Sequence, residues 1–374
     1  MNQTTMNEIN NKMKNGRVFG LFHNDLDGYG CGKVASVFLN MADAHYVNYN
    51  EVNKEIESFC KKGYKNHDCL IVADLNLEMS NMEALNKLAI DGYPVMYFDH
   101  HFKSEAQFNF FKKGNIVYNF SKEICATKLM FNYFSSHEYE YNKIKLLIDK
   151  KNDEYDYKEV NTAKLSEIVD LIDSWDLYKW QNPNTFEVIN DTARELNMYF
   201  KEFGRDRTLW KIDNYITGQF DKLFSNFDIS NLKLLKRNLT MAIYDRNANL
   251  TTIQYPFDGE VYDIGITYAD RDVSEIGNRL NIMNKNLSFI VIIDMIHNSV
   301  NFRTIFDSPN LAKIAANFGG GGHPKAAGCE LNEKAFNAFV NRTLSRDQVD
   351  TLISFNNKNN AKNEEVVTSE AEGK

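Results

Sequence analysis

Three short apolar runs of this chain each end in carboxylate or imidazole side chains. These are residues 17–22 before His23, Asp25 and Asp27, residues 69–73 before Asp74, and residues 93–98 before Asp99, His100 and His101. Ionisable groups in such rows are costly to bury unless a metal or an anion pairs with them. Because the carboxyl ends of parallel strands meet at one edge of a sheet, the runs predict one shared site.

The order of the apolar runs predicts the fold class. Strands alternate with helices over about the first 130 residues, which is typical of a doubly wound parallel α/β sheet. Residues 144–224 have a helical pattern, and Ser121 is expected to cap a helix that runs to Phe134. Residues 218–250 predict a connecting helix. A second, smaller α/β unit starts near residue 255, with a strand at 261–268, a helix at 273–283 and paired strands at 287–293 and 299–305.

We therefore expect a doubly wound parallel-sheet domain over residues 1–215 and a helical connector over residues 216–254. A mixed α/β domain over residues 255–340 follows. Residues 341–374 are rich in Asn, Lys and Glu, which predicts a disordered tail. Two domains also agree with the length of 374 residues, since one domain usually takes about 150.

Composition limits the function classes. The net charge of −8 argues against a protein that coats duplex nucleic acid, because such affinity rests on neutralising phosphates. The five cysteines form no C-x-x-C pair, which predicts reduced thiols in a cytoplasmic protein. The amino terminus lacks the apolar stretch of a signal peptide. No apolar run approaches the roughly 20 residues of a membrane-spanning helix, so we expect no membrane association.

His23, Asp25 and Asp27 occupy alternate positions, so an extended strand would point all three side chains to one side. Nitrogen and oxygen donors without thiolates suit manganese, magnesium or a similar ion. Each residue alone also has a structural interpretation: a core histidine for His23, and a turn for the two aspartates.

Further ligands from other runs would complete such a site. Asp74, His100 and a carboxylate from either Asp173 or Asp176 bring the set to about six donors, enough for two ions with Asp74 as the bridge. Two such ions can activate a water and hold phosphoryl oxygens. The alternative for Asp173 is a helix C-cap.

A glycine run at residues 319–322, followed by His323, predicts a second site. Backbone N–H groups of consecutive glycines can surround an anion, and His323 and Lys325 can add positive charge. A flexible loop is the alternative. Arg303, on the strand before, is a candidate phosphate or base contact, or else part of a surface salt bridge.

These motifs resemble the DHH phosphoesterase superfamily with its C-terminal DHH-associated domain. The resemblance covers residues 17 to about 335 and rests on His23-Asn-Asp-Leu-Asp-Gly28, Asp74, Asp99-His-His101 and the segment Gly319 to Gly328. It is greatest to the bacterial oligoribonuclease (nanoRNase) branch of the B type, with RecJ-like proteins as further relatives. Two stretches are similar to that branch, Asp173-Ser-Trp175 and Ser274-Glu-Ile-Gly-Asn278.

The resemblance implies a two-manganese site, for which Mg²⁺ or Co²⁺ could substitute, in a cleft between the two domains. One ion would be held by His23, Asp25 and Asp74, and the other by Asp27, Asp74, His100 and Asp173. His101 would face the scissile phosphate. Asp99 would support the site as a whole or help to position a metal. The far end of the substrate would be bound by Gly320, Gly321, Gly322, His323 and Arg303. Residues 301–304 match the family's Arg-containing segment only loosely, which weakens the expectation for Arg303.

The function expected from these features is a manganese-dependent exoribonuclease that hydrolyses short RNA (nanoRNA) to 5′-mononucleotides. The alternatives within the superfamily are a cyclic or linear dinucleotide phosphodiesterase, a 3′,5′-bisphosphate nucleotidase and a RecJ-like exonuclease on single-stranded DNA. Against the last, no oligonucleotide-binding barrel is evident. The non-enzymatic alternative is a nucleotide-binding sponge. A short RNA or a dinucleotide is the expected partner; no obligatory protein partner is evident, and a homodimer stays open.

Overall fold

The computed structural model describes residues 3–48, 51–61, 63–101, 104–113, 115–137, 139–149, 151–182 and 187–343. The predicted tail lies outside the described residues from position 344 onwards. The chain divides into two compact units, Met1–Leu232 and Lys233–Lys374. In the described part of the chain, no helix combines the length and the apolar character needed to cross a membrane.

The first unit is built on a five-stranded sheet in which neighbouring strands are parallel. Its strands are β1 (Val18–His23), β2 (Met41–Val47), β3 (Cys69–Ala73), β4 (Val95–Asp99) and β5 (Val117–Phe120), in the order β2-β1-β3-β4-β5. Strands β3 and β4 are buried along their whole length. Full burial explains why they are continuous apolar runs rather than alternating ones.

Helices cover both faces of this sheet, as the doubly wound pattern predicts. The helices of this unit are α1 (Gln3–Asn15), α2 (Leu26–Phe38), α3 (Val52–Lys61), α4 (Met79–Ile90), α5 (Glu105–Lys113), α6 (Ala126–Ser136), α7 (Thr162–Asp176) and α8 (Asp191–Ile216). On one face, Leu21 and Val72 of the strands belong to a buried cluster with residues of α3, α4 and α5. On the other, Phe98 lies against Phe134 of α6, with ring centroids 5.8 Å apart.

Some local predictions for this unit are wrong. Residues 144–224 are not helical throughout, because β6 (Ile144–Asp149) and β7 (Glu154–Lys158) form an antiparallel hairpin. Strand β2 was not predicted from the sequence. It is an edge strand with exposed central residues, so it carries no continuous apolar run. Ser121 does not cap α6: its Oγ accepts from Glu123 N in a turn, and the residue before the helix is Cys125.

The second unit contains a six-stranded mixed sheet, in the order β12-β13-β11-β10-β9-β8. Strands β9 and β10 are parallel and the other neighbours are antiparallel. The strands are β8 (Thr251–Phe257), β9 (Glu260–Tyr268), β10 (Phe289–Asp294), β11 (Ser299–Arg303), β12 (Gly321–His323) and β13 (Ala326–Glu330).

The remaining helices are α9 (Asn226–Ala248), which contains the division between the units, α10 (Val273–Met283), α11 (Leu311–Ala316) and α12 (Glu333–Phe339). The core of the second unit joins Phe289 and Phe302 of the sheet to Phe339 of α12. The predicted fold class, a parallel-sheet α/β unit followed by a mixed α/β unit, is confirmed.

Candidate metal centre and glycine loop

The carboxyl ends of three neighbouring strands bring the ionisable residues of the first unit together. Strand β1 ends at His23, β3 is followed directly by Asp74, and β4 ends at Asp99 before His100. Because β3 lies between β1 and β4 in a parallel sheet, all three ends meet at one edge. The topology therefore builds the cluster from segments that are far apart in the chain.

Asp74 lies at the middle of this cluster. One of its oxygens, Oδ1, is 3.2 Å from His100 Nε2, and the other, Oδ2, is 3.6 Å from His23 Nδ1. Its side chain is buried, and its φ angle of 59° lies in the left-handed region that non-glycine residues rarely adopt. A strained backbone at the centre of an ionisable cluster indicates a functional constraint on Asp74.

Two groups of side chains extend from Asp74 on either side. His23 Nδ1 is 2.9 Å from Asp25 Oδ2. His100 Nε2 is 3.7 Å from Asp27 Oδ2 and 3.3 Å from Asp176 Oδ2. In the described residues, three sets have ligand atoms close enough to hold a metal ion: Asp74, His100 and His101; His23, Asp25 and Asp74; and Asp27, His100 and Asp176.

Asp27 is held in place by the beginning of α6. Its Oδ2 accepts from Ala126 N at 2.9 Å and its Oδ1 accepts from Thr127 N at 2.9 Å. The amino end of a helix carries partial positive charge, so it stabilises the buried carboxylate. The same bonds fix the orientation in which Asp27 faces His100.

The geometry favours Asp176 over Asp173 as a member of the cluster. Asp173 is buried, but its Oδ1 accepts from Cys125 N at 2.8 Å and its Oδ2 accepts from Lys179 Nζ at 2.8 Å. Both oxygens are thus engaged by protein donors. Asp176, at the end of α7, instead faces His100. The segment Asp173-Ser-Trp175 therefore lies beside the metal centre. There Asp173 connects α7 to the start of α6 through its bond from Cys125 N.

Asp99 positions the two histidines that follow it. It is fully buried, and its Oδ1 accepts from the backbone N of His100 at 2.9 Å and from that of His101 at 3.2 Å. The same oxygen lies 2.7 Å from His101 Nδ1, and Asp99 Oδ2 accepts from Tyr97 Oη at 2.7 Å. Asp99 thus orients the His101 ring and is absent from the metal-holding sets of the described residues.

The chemistry of this cluster fits a divalent cation. Asp74 Oδ2 and Asp176 Oδ2 are buried and accept no hydrogen bond from a described residue. Burial raises the pKa of Asp74 well above its usual range, and the charges of Asp27 and Asp25 raise it further. Burial and the charge of Asp27 likewise raise the pKa of Asp176. Crowded, buried carboxylates of this kind are stabilised by a bound cation.

The pKa values of His23 and Asp25 shift in the directions that favour their charged forms, opposite to the effect of burial. Burial by itself would lower the pKa of His23, but the carboxylates of Asp25 and Asp74 outweigh it and raise that pKa to about 10. Burial would raise the pKa of Asp25, but the imidazole of His23 lowers it to about 2. The carboxylates around His23 thus stabilise the positively charged form of its imidazole.

A glycine makes the turn after β1 possible. Asp25 Oδ1 accepts from Gly28 N at 3.0 Å and caps α2. A Cβ atom at Gly28 would lie 2.0 Å from the carbonyl oxygen of His23. No other residue fits there without moving the backbone that carries His23 and Asp25.

The glycine run of the second unit forms an edge strand. Gly321, Gly322 and His323 pair with Gly328, Ala327 and Ala326 of β13. A Cβ at Gly320 would lie 2.1 Å from Gly328 O, and one at Gly322 would lie 2.6 Å from Ala327 Cα. Two of the glycines are thus required by close packing onto β13. Gly321 has open space beside it, and all three residues of β12 are exposed.

Arg303 lies on β11, opposite Ala326 in the neighbouring β13. Its guanidinium donates to Ser274 Oγ at 3.0 Å and to the carbonyl oxygens of Phe302 and Ala327 at 2.9 and 3.3 Å. A Cβ at Gly277 would lie 2.7 Å from Arg303 Cγ, so this glycine makes room for the arginine. The segment from Ser274 to Asn278 thus anchors Arg303.

Several residues that build the metal centre were not predicted from the sequence. They are Tyr97, which holds Asp99, and Ala126 and Thr127, which hold Asp27 through backbone N–H groups. Backbone donors leave no residue pattern. Tyr97 lies two residues before Asp99, a spacing that puts both on one face of the strand, and this spacing could have indicated the contact.

Known proteins are similar to this chain in sequence. No protein-family model matches the chain. The chain is 28% identical over 332 residues to the oligoribonuclease NrnB of Bacillus subtilis, covering 87% of this chain and 76% of that protein. It is 22% identical over 372 residues to a 3′,5′-cyclic-nucleotide phosphodiesterase of Helicobacter pylori, covering 91% of this chain and 99% of that protein.

Two solved structures share the fold. One is the DHH domain of a protein described as a member of a family of ribosomal proteins (TM-score 0.55, 12% identity, 91% of this chain and 89% of that one). The other is RecJ of Thermus thermophilus in complex with Mn²⁺ (TM-score 0.50, 12% identity). That match covers 91% of this chain and 53% of the RecJ chain. Together with the motifs and the curated relatives, these structures confirm that this chain resembles the DHH superfamily of phosphoesterases.

Proposed function

We propose that this chain is a metal-dependent phosphodiesterase that hydrolyses short oligonucleotides to 5′-mononucleotides with two manganese ions. The observation that carries the proposal is the convergence of imidazoles and carboxylates on Asp74. Its two oxygens lie within 3.2 Å of His100 and 3.6 Å of His23, on opposite sides of the cluster. A carboxylate in that position can bridge two ions.

In this proposal each ion is assigned the side chains whose nitrogen and oxygen atoms lie close to one another in the cluster. One ion would be held by His23, Asp25 and Asp74, and the other by Asp27, Asp74, His100 and Asp176. Manganese accepts this mixture of imidazole nitrogens and carboxylate oxygens. When bound, the ions supply Lewis acidity to the phosphoryl oxygens and lower the pKa of water.

His101 acts on the scissile phosphate in this proposal. Its Nδ1 is held by Asp99, and this bond sets the orientation and the tautomer of the ring. An imidazole fixed in this way can donate a hydrogen bond to a phosphate oxygen from its other nitrogen. Asp99 therefore contributes by holding His101, not by contacting the substrate.

The second unit binds the part of the substrate that is not cleaved. Gly321 has open space next to its backbone, and His323 is exposed on the same edge strand. Arg303 is anchored by Ser274 on the neighbouring helix. An exposed strand edge that presents backbone groups and an imidazole suits a phosphate or a ribose hydroxyl.

The choice of a short RNA substrate rests on the oligoribonuclease from Bacillus subtilis, which covers most of this chain. The relative from Helicobacter pylori favours a second candidate, hydrolysis of cyclic nucleotides. Both candidates are hydrolyses of a phosphodiester, so the same metal centre could serve either one, and the choice of substrate in an assay separates them.

The test is an activity assay with purified protein, Mn²⁺ and end-labelled RNAs from a dinucleotide to about 25 nucleotides. Single-stranded DNA, a cyclic dinucleotide, a cyclic mononucleotide and 3′,5′-bisphosphorylated adenosine are assayed in parallel. Release of mononucleotides mainly from the shortest RNAs supports the proposal. Turnover of only a cyclic or bisphosphorylated compound would contradict the substrate while keeping the metal chemistry. Binding of nucleotides without turnover would favour the sponge.

A further inference from the structure

A cation on an aromatic platform lies next to the metal centre in the first unit. The platform consists of Tyr29 of α2 and Tyr46 of β2, whose ring centroids are 4.0 Å apart. The guanidinium carbon of Arg205, from α8, lies 5.6 Å from the Tyr29 centroid and 5.8 Å from the Tyr46 centroid. Guanidinium groups are stabilised over such rings, so the platform holds Arg205 in a defined place.

The platform is tied to the residues of the metal centre. Tyr29 Oη donates to Asn24 Oδ1 at 2.6 Å. Asn24 lies between His23 and Asp25 in the sequence. A short, directed path of contacts thus leads from the candidate ligands to Arg205.

A break in α8 brings Arg205 to this position. Gly204 interrupts the helix with a φ angle of 76° and a ψ angle of 175°. The positive φ favours glycine. Thr208 Oγ1 donates to Gly204 O at 2.8 Å and secures the turn. Helix α8 resumes at Arg205, so the break determines where this side chain points.

Arg205 has the properties of a ligand-binding group. Its side chain is 46% exposed. Its Nε donates to Asp206 Oδ1 at 2.7 Å, but the Asp206 side chain is 85% exposed, and such surface ion pairs contribute little. An anionic ligand can therefore compete for the guanidinium.

We propose that Arg205 binds a phosphate of the oligonucleotide next to the one that is hydrolysed. This inference rests on the proposed function and adds a substrate contact to it. A planar guanidinium can form two parallel hydrogen bonds to a phosphate, and the aromatic platform reduces the entropy lost in doing so. The contact would make substrates with two or more phosphates better than those with one.

Arg207 provides a matched control on the same segment. Its Nε donates to Tyr199 Oη at 3.1 Å and its guanidinium lies 5.4 Å from the Phe203 ring centroid. Arg207→Met removes the same charge two residues away without touching Tyr29 or Tyr46. It separates a local contact from the general effect of positive charge.

The experiment compares an RNA trinucleotide with bis(p-nitrophenyl) phosphate, which contains a single phosphate. For Arg205→Met we expect KM for the trinucleotide to rise about tenfold, roughly 1.4 kcal/mol, with little change for the one-phosphate substrate. The slope of log(kcat/KM) against log[salt] should become shallower by about 0.7 for one lost phosphate contact. Arg207→Met should match wild type in both respects. Arg205→Lys keeps the positive charge but loses the planar guanidinium that can form two parallel hydrogen bonds. Its KM for the trinucleotide should therefore lie between those of wild type and Arg205→Met.

Mn²⁺ affinity, measured by calorimetry, should be equal in all variants. Equal affinities would exclude damage to the metal centre as the cause of a raised KM. An unchanged KM in Arg205→Met, or an equal loss in Arg207→Met, would overturn the inference. A loss that does not depend on salt would indicate base stacking and would also overturn it. If wild type hydrolyses neither substrate, the proposed function itself fails; if wild type is active and only the Arg205 effect is missing, the inference alone fails.

Discussion

His100 Nε2 lies 3.2 Å from Asp74 Oδ1, although the two residues follow different strands of the sheet. Strand β4 leads into His100 and strand β3 leads into Asp74, and the two strands are parallel neighbours. Their contact is therefore a direct product of strand pairing. Because Asp74 also approaches His23, a change at this one carboxylate affects both halves of the cluster.

Replacement of Asp74 by Asn should abolish activity. The amide keeps the shape of the side chain but loses the charge that a bridging ligand needs. We expect kcat to fall by a factor of about 10³ or more, corresponding to roughly 4 kcal/mol, and Mn²⁺ stoichiometry by calorimetry to fall below that of wild type. Glu57→Gln, on an exposed surface ion pair, is the control. Substantial residual turnover in Asp74→Asn would refute the bridging role.

Asp173→Asn and Asp176→Asn should have different effects. Asp176 faces His100, whereas both oxygens of Asp173 are bound by protein donors. We expect Asp176→Asn to weaken Mn²⁺ binding about tenfold or more, a size known for lost metal-site groups, with little change in thermal stability. Asp173→Asn should mainly lower the melting temperature. Calorimetric titration and thermal unfolding distinguish the two, and the reverse result would restore Asp173 as the ligand.

Metal binding should release protons at neutral pH. The carboxylates of Asp25 and Asp74 hold the pKa of His23 at about 10 in the metal-free protein, so this imidazole is protonated at pH 7. It must lose that proton to become a ligand, and metal affinity should rise up to about tenfold per pH unit below pH 10. Calorimetry at pH 7.5 in buffers with different ionisation enthalpies measures the release. Heats of Mn²⁺ binding that do not depend on the buffer would contradict the assignment of His23 as a protonated ligand. Proton release from His23→Gln equal to that of wild type would also contradict it.

His323→Ala should act on substrate binding. His323 is exposed at the end of the edge strand that Gly321 begins. We expect KM for a dinucleotide to rise about tenfold with kcat changed less than about threefold, the pattern of lost uniform binding. Mn²⁺ affinity serves as the control and should not change. A collapse of kcat at constant KM would instead make His323 part of the chemistry.

The buried ion pair of Lys211 and Asp228 should make the first unit sensitive to acid. Lys211 Nζ lies 2.7 Å from Asp228 Oδ2, and both side chains are almost fully buried. Burial would raise the pKa of Asp228, but bonds from Lys211 and Ser225 outweigh it and lower that pKa.

A carboxyl whose pKa is lower in the folded state contributes stability above its unfolded pKa, which is about 3.9. That contribution disappears as the pH falls from about 4 through the folded value. Lys211→Met should destabilise the protein by about 3 kcal/mol at pH 7 and flatten the acid limb of the stability curve. Urea unfolding between pH 3 and 7 measures both; an unchanged acid limb would show that the pair contributes nothing.

Strong local patterns were enough to predict the strands that form the site. Strands β1, β3 and β4 are buried on both faces, so their sequences are continuous apolar runs with clear ends. Strand β2 lies at the sheet edge, and strand β7 is polar and mostly exposed, so neither has such a run. Their conformations depend on pairing with a neighbour, which local composition does not reveal.

Residue patterns along the chain were sufficient to predict the donor types, the strand ends that carry them and the fold class. The packing of elements against each other places Asp176 rather than Asp173 opposite His100, because Cys125 N and Lys179 occupy the oxygens of Asp173. It alone placed Arg205 over Tyr29 and Tyr46. The physical reason is the range of the forces involved: local periodicity reflects burial along one element, whereas hydrogen-bond partners and ring contacts are set by which elements pack together.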